Sequence, residues 1–190
     1  MKFYEEHTMK NVVVYRSKYG TTKKYAEWIS EFLSCDIYES RQIDAGKLAS
    51  YDNIIYGGAL YAGGVIGIDI LKKNYDSICE KNIIVFTCGL GDPKEKENTN
   101  NIRQSLSKVL TKEMQEGIKV FHLRGGIDYS KLNFAHRSMM SMMNRMLKKK
   151  DPEKLNDEEK QMLDTYGEKV DFTDKNSIQP IIDHIKELDL

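Results

Sequence analysis

The segment Val13-Val14-Tyr15-Arg16-Ser17-Lys18-Tyr19-Gly20-Thr21-Thr22 runs from an apolar, β-branched strand through a hydroxyl-rich turn. It continues into residues 23–29, which have the pattern of an amphipathic helix start. The first turn of a helix offers unpaired N–H groups and partial positive charge, and Gly20 permits close backbone approach. The segment therefore predicts a phosphate-binding loop formed by Ser17, Lys18, Tyr19, Gly20, Thr21 and Thr22. The alternative is an ordinary strand-to-helix turn with Ser and Thr as caps.

Further apolar, β-branched runs follow at residues 53–56, 83–87 and 118–123, usually with a helical pattern after each. A weaker run at residues 36–39 follows a helix predicted over residues 22–33, which brings the strand count to five. This alternation predicts an α/β fold, a doubly wound five-stranded parallel sheet with helices on both faces. An apolar stripe that includes Ile181 and Ile185 predicts a last helix, starting near Asp174 or Asn176, that closes the fold.

The turns after the third and fourth predicted strands should flank a bound ring, because ligands of doubly wound sheets lie beyond the carboxyl ends of the strands. In the first turn the candidate contacts are Ala59, Leu60, Tyr61, Ala62 and Gly63. In the second they are Thr87, Cys88, Gly89, Leu90 and Gly91. Tyr61 is the candidate for stacking on the ring, and the alternative for it is a surface aromatic in a glycine-rich loop.

Composition narrows the class of protein. Lys and Arg total 29, as do Asp and Glu, so the zero net charge gives no global field that would attract nucleic acid. The three cysteines lack CxxC spacing, which indicates neither a disulfide framework nor a zinc site and fits a reducing cytoplasm. Cys88 is interpreted as structural, and no metal is predicted because the histidines lack ligand spacing. Neither a signal core nor a membrane-spanning apolar run is found, so we expect a cytoplasmic protein.

About fifty residues separate the fifth strand from the last helix, far more than this architecture needs. The chain is interpreted as one domain, residues 1–190, with a helical insertion at about residues 125–173. Within it, residues 131–150 combine basic residues with an apolar stripe, namely Leu132, Ala135, Met139, Met142, Met143 and Met146, widened by Met140 and Leu147. Such a helix suits a hydrophobic substrate, a protein partner or an anionic membrane surface, and core packing is the alternative.

The spacing of Ser17, Gly20 and Thr22 after an aliphatic pair and an aromatic residue resembles the flavodoxin signature. Nearly the whole chain is similar to the flavodoxin-domain family that includes bacterial quinone-linked protoporphyrinogen dehydrogenases. Residues 125–132 and 137–140 of this chain resemble the insertion found in those dehydrogenases. Such dehydrogenases carry an Arg-Tyr pair where this chain has Leu60-Tyr61. The resemblance implies a flavodoxin-like fold, FMN as cofactor, peripheral attachment to the inner face of the cell membrane, and oxidation of a porphyrinogen with electrons passed to a quinone.

The sequence is compatible with two functions. The first is an FMN-dependent oxidoreductase of the protoporphyrinogen dehydrogenase type, with no catalytic side chain assigned. The second is an electron-carrier flavodoxin that exchanges electrons with a redox partner protein and turns over no substrate itself. Carriers of this kind are usually strongly acidic, so the zero net charge and the basic insertion favour the oxidoreductase.

Overall fold

The computed structural model describes residues 9–61 and 63–188, so Ala62, one of the predicted ring contacts, lies outside the described residues. The strands are β1 (Asn11–Arg16), β2 (Asp36–Glu39), β3 (Asn53–Tyr61), β4 (Gly64–Val65), β5 (Asn82–Gly89), β6 (Ile118–Arg124), β7 (Gly126–Asp128) and β8 (Lys169–Asp171). The helices are α1 (Thr21–Leu33), α2 (Ala45–Ala49), α3 (Asp69–Ile78), α4 (Lys96–Ser107), α5 (Lys112–Gly117), α6 (Phe134–Lys149), α7 (Asp157–Asp164) and α8 (Gln179–Leu188).

The central sheet confirms the predicted doubly wound architecture. Its five parallel strands lie in the order β2-β1-β3-β5-β6, and the short β4 pairs antiparallel with the end of β3. One face of the sheet packs against apolar residues of α2 to α5, and the other packs against α1 and α8. The last helix follows a 3-10 turn at Lys175–Ile178 and buries Ile181, Ile182 and Ile185, as its apolar stripe predicted.

The third and fourth predicted strands are longer than expected. Gly57, Gly58 and Ala59 continue the pairing of β3 with β5, opposite Phe86, Thr87 and Cys88. The prediction that the third strand ends at residue 56 and is followed by a turn is therefore wrong at residues 57–61, which extend the strand. Glycine is needed at position 57, since a Cβ there would lie 2.1 Å from the Cζ of the buried Phe86 ring. The chain then reverses in a tight hairpin at Gly63, whose φ is +78°.

The insertion is a small unit with its own core. Strands β7 and β8 pair antiparallel, with Gly126 opposite Asp171, and so bring its two ends together. Between them α6 packs against α7, and the Lys150 ammonium pairs with the Glu159 carboxylate at 2.6 Å. Tyr129, Leu132 and Met140 form the buried centre of this unit, with Met162 and Tyr166 packed against them. Both strands are only three residues long, and neither was predicted from the sequence.

Within residues 9–61 and 63–188, no helix combines the length and apolar character needed to cross a bilayer.

Replacing Gly57 with alanine tests the close approach of β3 to the Phe86 ring. We expect Gly57→Ala to lower the free energy of unfolding by about 1–3 kcal/mol, because the new methyl group must displace a fully buried aromatic side chain. Urea unfolding followed by circular dichroism measures this change. Gly46→Ala in α2 is the control, since its Cβ would meet only Asp44 Oδ1 at 3.5 Å. Equal stability of the two variants would contradict the prediction.

Candidate functional site

The predicted phosphate loop joins β1 to α1 through a left-handed glycine. Gly20 has φ +97° and ψ −21°, a conformation that favours glycine, and it occupies the N-cap position of α1. Its N–H donates to Ser17 Oγ at 3.0 Å, and its carbonyl accepts from Lys24 N at 2.9 Å. The first turn of α1 contains no acidic residue. Its N–H groups and partial positive charge are therefore well suited to hold an anion.

Thr22 carries a buried hydroxyl that has no hydrogen bond within the described chain. The residue is fully buried, and its Oγ1 lies beside the Cys88 thiol, which is only a weak hydrogen-bonding group. Leaving such a group unsatisfied costs about 1–3 kcal/mol. A negatively charged oxygen held at the start of α1 would satisfy it, so the loop fits a phosphate group.

The ends of β3 and β5 pack closely beside the phosphate loop. A Cβ at Gly89 would lie 2.6 Å from Leu60 Cδ1, so a larger residue at position 89 would require the Leu60 side chain to move. The Cys88 thiol contacts Thr21 Oγ1 at 3.5 Å, and burial raises the pKa of this thiol to about 11. At neutral pH it stays protonated and weakly nucleophilic, in keeping with a structural role.

The predicted segments converge on one cavity of about 440 Å³, a size that is typical of small-molecule sites. The predicted residues that line it are Lys18, Tyr19, Thr21, Ala59, Leu60, Tyr61, Gly63, Cys88, Gly89, Leu90 and Gly91. Ser17, Gly20, Thr22 and Thr87 do not line it, and they shape the phosphate loop or pack behind the cavity wall. The structure thus brings together three segments that are far apart in the sequence.

The insertion supplies much of the apolar cavity wall, through Ile127, Leu132, Met139, Met140, Met143 and Met162. The single apolar face predicted for α6 is wrong, because its methionines point in two directions. Met142 and Met146 are 59% and 64% exposed, and Ala135 is also exposed. The buried face of α6 instead carries polar His136 and Asn144 beside Met140.

His136 joins the insertion to the phosphate loop. Its Nε2 lies 2.7 Å from Lys18 Nζ, and its Nδ1 is hydrogen-bonded to the Tyr19 hydroxyl. Because an ammonium group only donates, Nε2 must be the acceptor, so Nδ1 carries the proton and donates to Tyr19. The Tyr61 ring packs on the imidazole with centroids 4.3 Å apart, and Lys18 Nζ lies 3.5 Å from the Tyr61 centroid. Tyr61, which was predicted to stack on a bound ring, therefore packs against His136 of the insertion.

Arg124, at the end of β6, makes a second connection between the insertion and the site. Its Nε donates to the Leu90 carbonyl at 3.3 Å, its Nη1 to Asp92 at 3.2 Å and its Nη2 to Gln161 of α7 at 2.7 Å. The guanidinium group therefore fixes the turn after β5 and the position of α7 at once. No local sequence pattern reveals this role or that of His136, since their partners are remote in the chain.

Acidification should weaken the contact at His136. Burial and the Lys18 ammonium lower the pKa of this histidine below its usual 6.5, so the folded protein resists protonation more than the unfolded chain does. We therefore expect the free energy of unfolding to fall as the pH drops below about 6.5. His136→Gln, which does not titrate, should lose less stability over the same range in urea unfolding. Parallel pH profiles for the two proteins would contradict this assignment.

The chain is similar to a protein-family model and to several solved structures. The family model described as "Flavodoxin domain" matches residues 12–154. No curated protein matches the sequence significantly. The chain is similar in structure to the WrbA-like flavodoxin from Agrobacterium tumefaciens, with 25% identity over 58% of this chain and 75% of that one, at a TM-score of 0.41.

Two further solved structures show the same partial likeness. Oxidised flavodoxin 2 from Bacillus cereus is 20% identical over 60% of this chain and 84% of its own, at a TM-score of 0.43. A flavoprotein from Lactobacillus acidophilus, solved in complex with FMN, is 17% identical over 61% of this chain and 92% of its own, at a TM-score of 0.42. The family model spans most of the sequence, including the predicted phosphate loop and both segments predicted to flank a ring. The chain therefore belongs to the flavodoxin-domain family.

Proposed function

We propose that the chain is an FMN-binding flavoprotein. The observation that carries this proposal is the unsatisfied Thr22 hydroxyl at the start of α1, within a loop that presents backbone N–H groups and no acidic residue. The phosphate of FMN would be held by Ser17, Thr21 and Thr22 with the first-turn N–H groups. The flavin ring would lie between the end of β3, at Ala59, Leu60 and Tyr61, and the turn after β5, at Gly89 to Gly91.

Within this proposal, FMN supplies the redox chemistry and the protein supplies binding, orientation and electrostatics. The close contact between Leu60 and Gly89 narrows the space between the two flanking segments, which suits a flat ring. The turn after β5 is fixed by Arg124, so its backbone N–H groups are held in place to tune the electronics of the ring. Asp92 balances the charge of that guanidinium group.

The reaction we propose is that of an oxidoreductase of the protoporphyrinogen dehydrogenase type, which passes electrons to a quinone. Support comes from the insertion, which covers part of the cavity with Met139, Met143 and Met162. Methionine side chains adapt to irregular apolar surfaces, so this wall suits a bulky apolar donor or acceptor. An electron carrier needs its flavin edge open to a protein, whereas here the insertion forms part of the wall of the proposed flavin site.

Thr22→Val tests FMN binding, because it keeps the side-chain shape and removes only the hydroxyl. Hydrogen bonds to charged groups contribute about 1.5–3 kcal/mol, so we expect FMN affinity to fall by about tenfold or more. Quenching of FMN fluorescence gives the dissociation constant. Thr99→Val in α4 is the matched control, since that hydroxyl donates to the Lys96 carbonyl of its own helix. Unchanged affinity in Thr22→Val would remove the main support for the phosphate site.

Turnover separates the oxidoreductase from the carrier. The FMN-loaded protein should oxidise protoporphyrinogen when a quinone is present and should stop when the quinone is exhausted, because the flavin needs an acceptor to be reoxidised. Porphyrin fluorescence follows the product directly. A protein that exchanges electrons with a flavodoxin reductase but leaves the porphyrinogen unchanged would be the carrier.

We further propose that α6 contacts the anionic inner face of the cell membrane and that the protein is otherwise cytoplasmic. Phe134 is 89% exposed at the start of this helix, and Met142 and Met146 are exposed further along it. Exposed basic residues accompany them on α6, namely Arg137, Arg145, Lys148 and Lys149. Exposed apolar side chains flanked by cations suit the interface of a membrane that contains anionic lipid.

Vesicle sedimentation tests the membrane contact. The protein should bind phosphatidylglycerol vesicles more strongly than phosphatidylcholine vesicles, and Phe134→Ser combined with Met142→Gln should reduce binding several-fold, because both apolar anchors are lost. Phe32→Ser is the matched control, since Phe32 is also exposed, at 48%, but lies on α1. Equal losses in both variants would show that general surface hydrophobicity, and not α6, drives the binding.

A further inference from the structure

His122 borders the cavity at the end that lies furthest from the phosphate loop. It belongs to β6, whereas the phosphate loop follows β1, and β3 and β5 lie between these two strands. With adjacent strands about 4.8 Å apart, the two ends of the cavity are separated by roughly 14 Å across the sheet. Helix α4 lies beside this end and contributes Asn98 and Ile102 to the wall. This end is therefore distinct from the phosphate loop.

Of the two ring nitrogens of His122, Nδ1 is hydrogen-bonded and Nε2 makes no hydrogen bond with the described residues. Nδ1 lies 2.8 Å from Thr87 Oγ1, which fixes the plane of the imidazole ring. Nε2 is buried and has no hydrogen-bond partner among the described residues. Burial and the nearby Arg103 lower the pKa of His122 to about 4, so the ring is neutral at physiological pH.

This arrangement differs from that of an ordinary core histidine, whose buried polar atoms are usually hydrogen-bonded. The unused Nε2 costs about 1–3 kcal/mol of stability when nothing bonds to it. Apolar side chains that include Leu60 and Ile102 line the same cavity as His122, and the Asn98 amide, which also lines it, already donates to the Asp92 carbonyl. A ligand group that enters from the cavity is therefore the natural partner for Nε2.

We propose that His122, oriented by Thr87, binds a carbonyl oxygen of the aromatic electron acceptor. This inference rests on the proposed function, which supplies a quinone as that acceptor. In the proposed complex the Thr87 hydroxyl donates to Nδ1, so Nε2 carries the ring hydrogen and donates a hydrogen bond to the carbonyl oxygen. The apolar body of the acceptor then packs against Leu60 and against the insertion methionines that line the cavity, Met139, Met143 and Met162. His122 acts here as a substrate-binding residue, and Thr87 is a positioning residue.

The test compares two ligands of one shape that differ in their carbonyl groups. Menadione carries the two quinone oxygens, and 2-methylnaphthalene has the same carbon skeleton without them. Dissociation constants of both are measured by equilibrium dialysis against the FMN-loaded wild type and His122→Phe. A neutral hydrogen bond is worth about 0.5–1.5 kcal/mol, so menadione should bind about three- to tenfold more weakly to the variant, and 2-methylnaphthalene should be unaffected.

Three further variants test whether the loss of menadione affinity comes from the His122 hydrogen bond. His122→Gln, which retains a donor, should recover part of the menadione affinity. His184→Phe makes the same substitution at a histidine of α8 that does not line the cavity and packs near Phe121, and it should change neither ligand. If His122→Phe does not fold, Thr87→Val removes only the positioning hydroxyl and should weaken menadione binding alone.

The outcomes also separate this inference from the function on which it rests. Normal FMN affinity with menadione binding that is insensitive to His122 would overturn the inference and leave the flavoprotein assignment intact. The same holds if both ligands weaken equally, because that pattern indicates a change of shape. Failure of the wild type to bind FMN would overturn both.

Discussion

Parallel pairing of β1, β3 and β5 in one fixed register is the constraint on which the rest of the structure depends. Arg16 lies opposite Gly58, and Ala59 lies opposite Cys88, so the three strands end at the same edge of the sheet. The phosphate loop, the hairpin after β3 and the turn after β5 meet there because of this alignment. A slip by one residue would turn every side chain of a strand to the opposite face, and it would destroy both cores and the cavity together.

Polar contacts connect the insertion to this sheet edge. His136 bonds to Lys18 and Tyr19, and Arg124 bonds to Gln161 on α7. Hydrogen bonds of this kind set orientation more narrowly than apolar packing does, because they require particular distances and angles. The apolar residues of the insertion are then free for other roles. Some line the cavity and others lie at the surface, which is how one methionine-rich helix serves two environments.

The sheet, its helices and the phosphate loop could be predicted because each leaves a local signal in the sequence, such as a β-branched run or the spacing of Ser17, Gly20 and Thr22. Strands β4, β7 and β8 could not, since two or three residues show no periodicity. Apolar residues are spread around much of α6, so the sequence did not reveal which side is buried. The roles of His136 and Arg124 depend on partners up to 118 residues away, which no local pattern encodes.

The position of α8 has a consequence for how the chain is made. Its isoleucines complete the core that covers Val13, Ile55 and Phe86, and the N–H of Asp174, just before it, donates to the Tyr25 hydroxyl of α1. These partners lie 149 residues apart. At about 5–20 residues per second, a ribosome needs on the order of ten seconds to synthesise that interval. Once β6 has been synthesised and until α8 follows, one face of the sheet is incompletely covered, so the nascent chain exposes apolar surface of the kind that makes unfinished domains prone to aggregate.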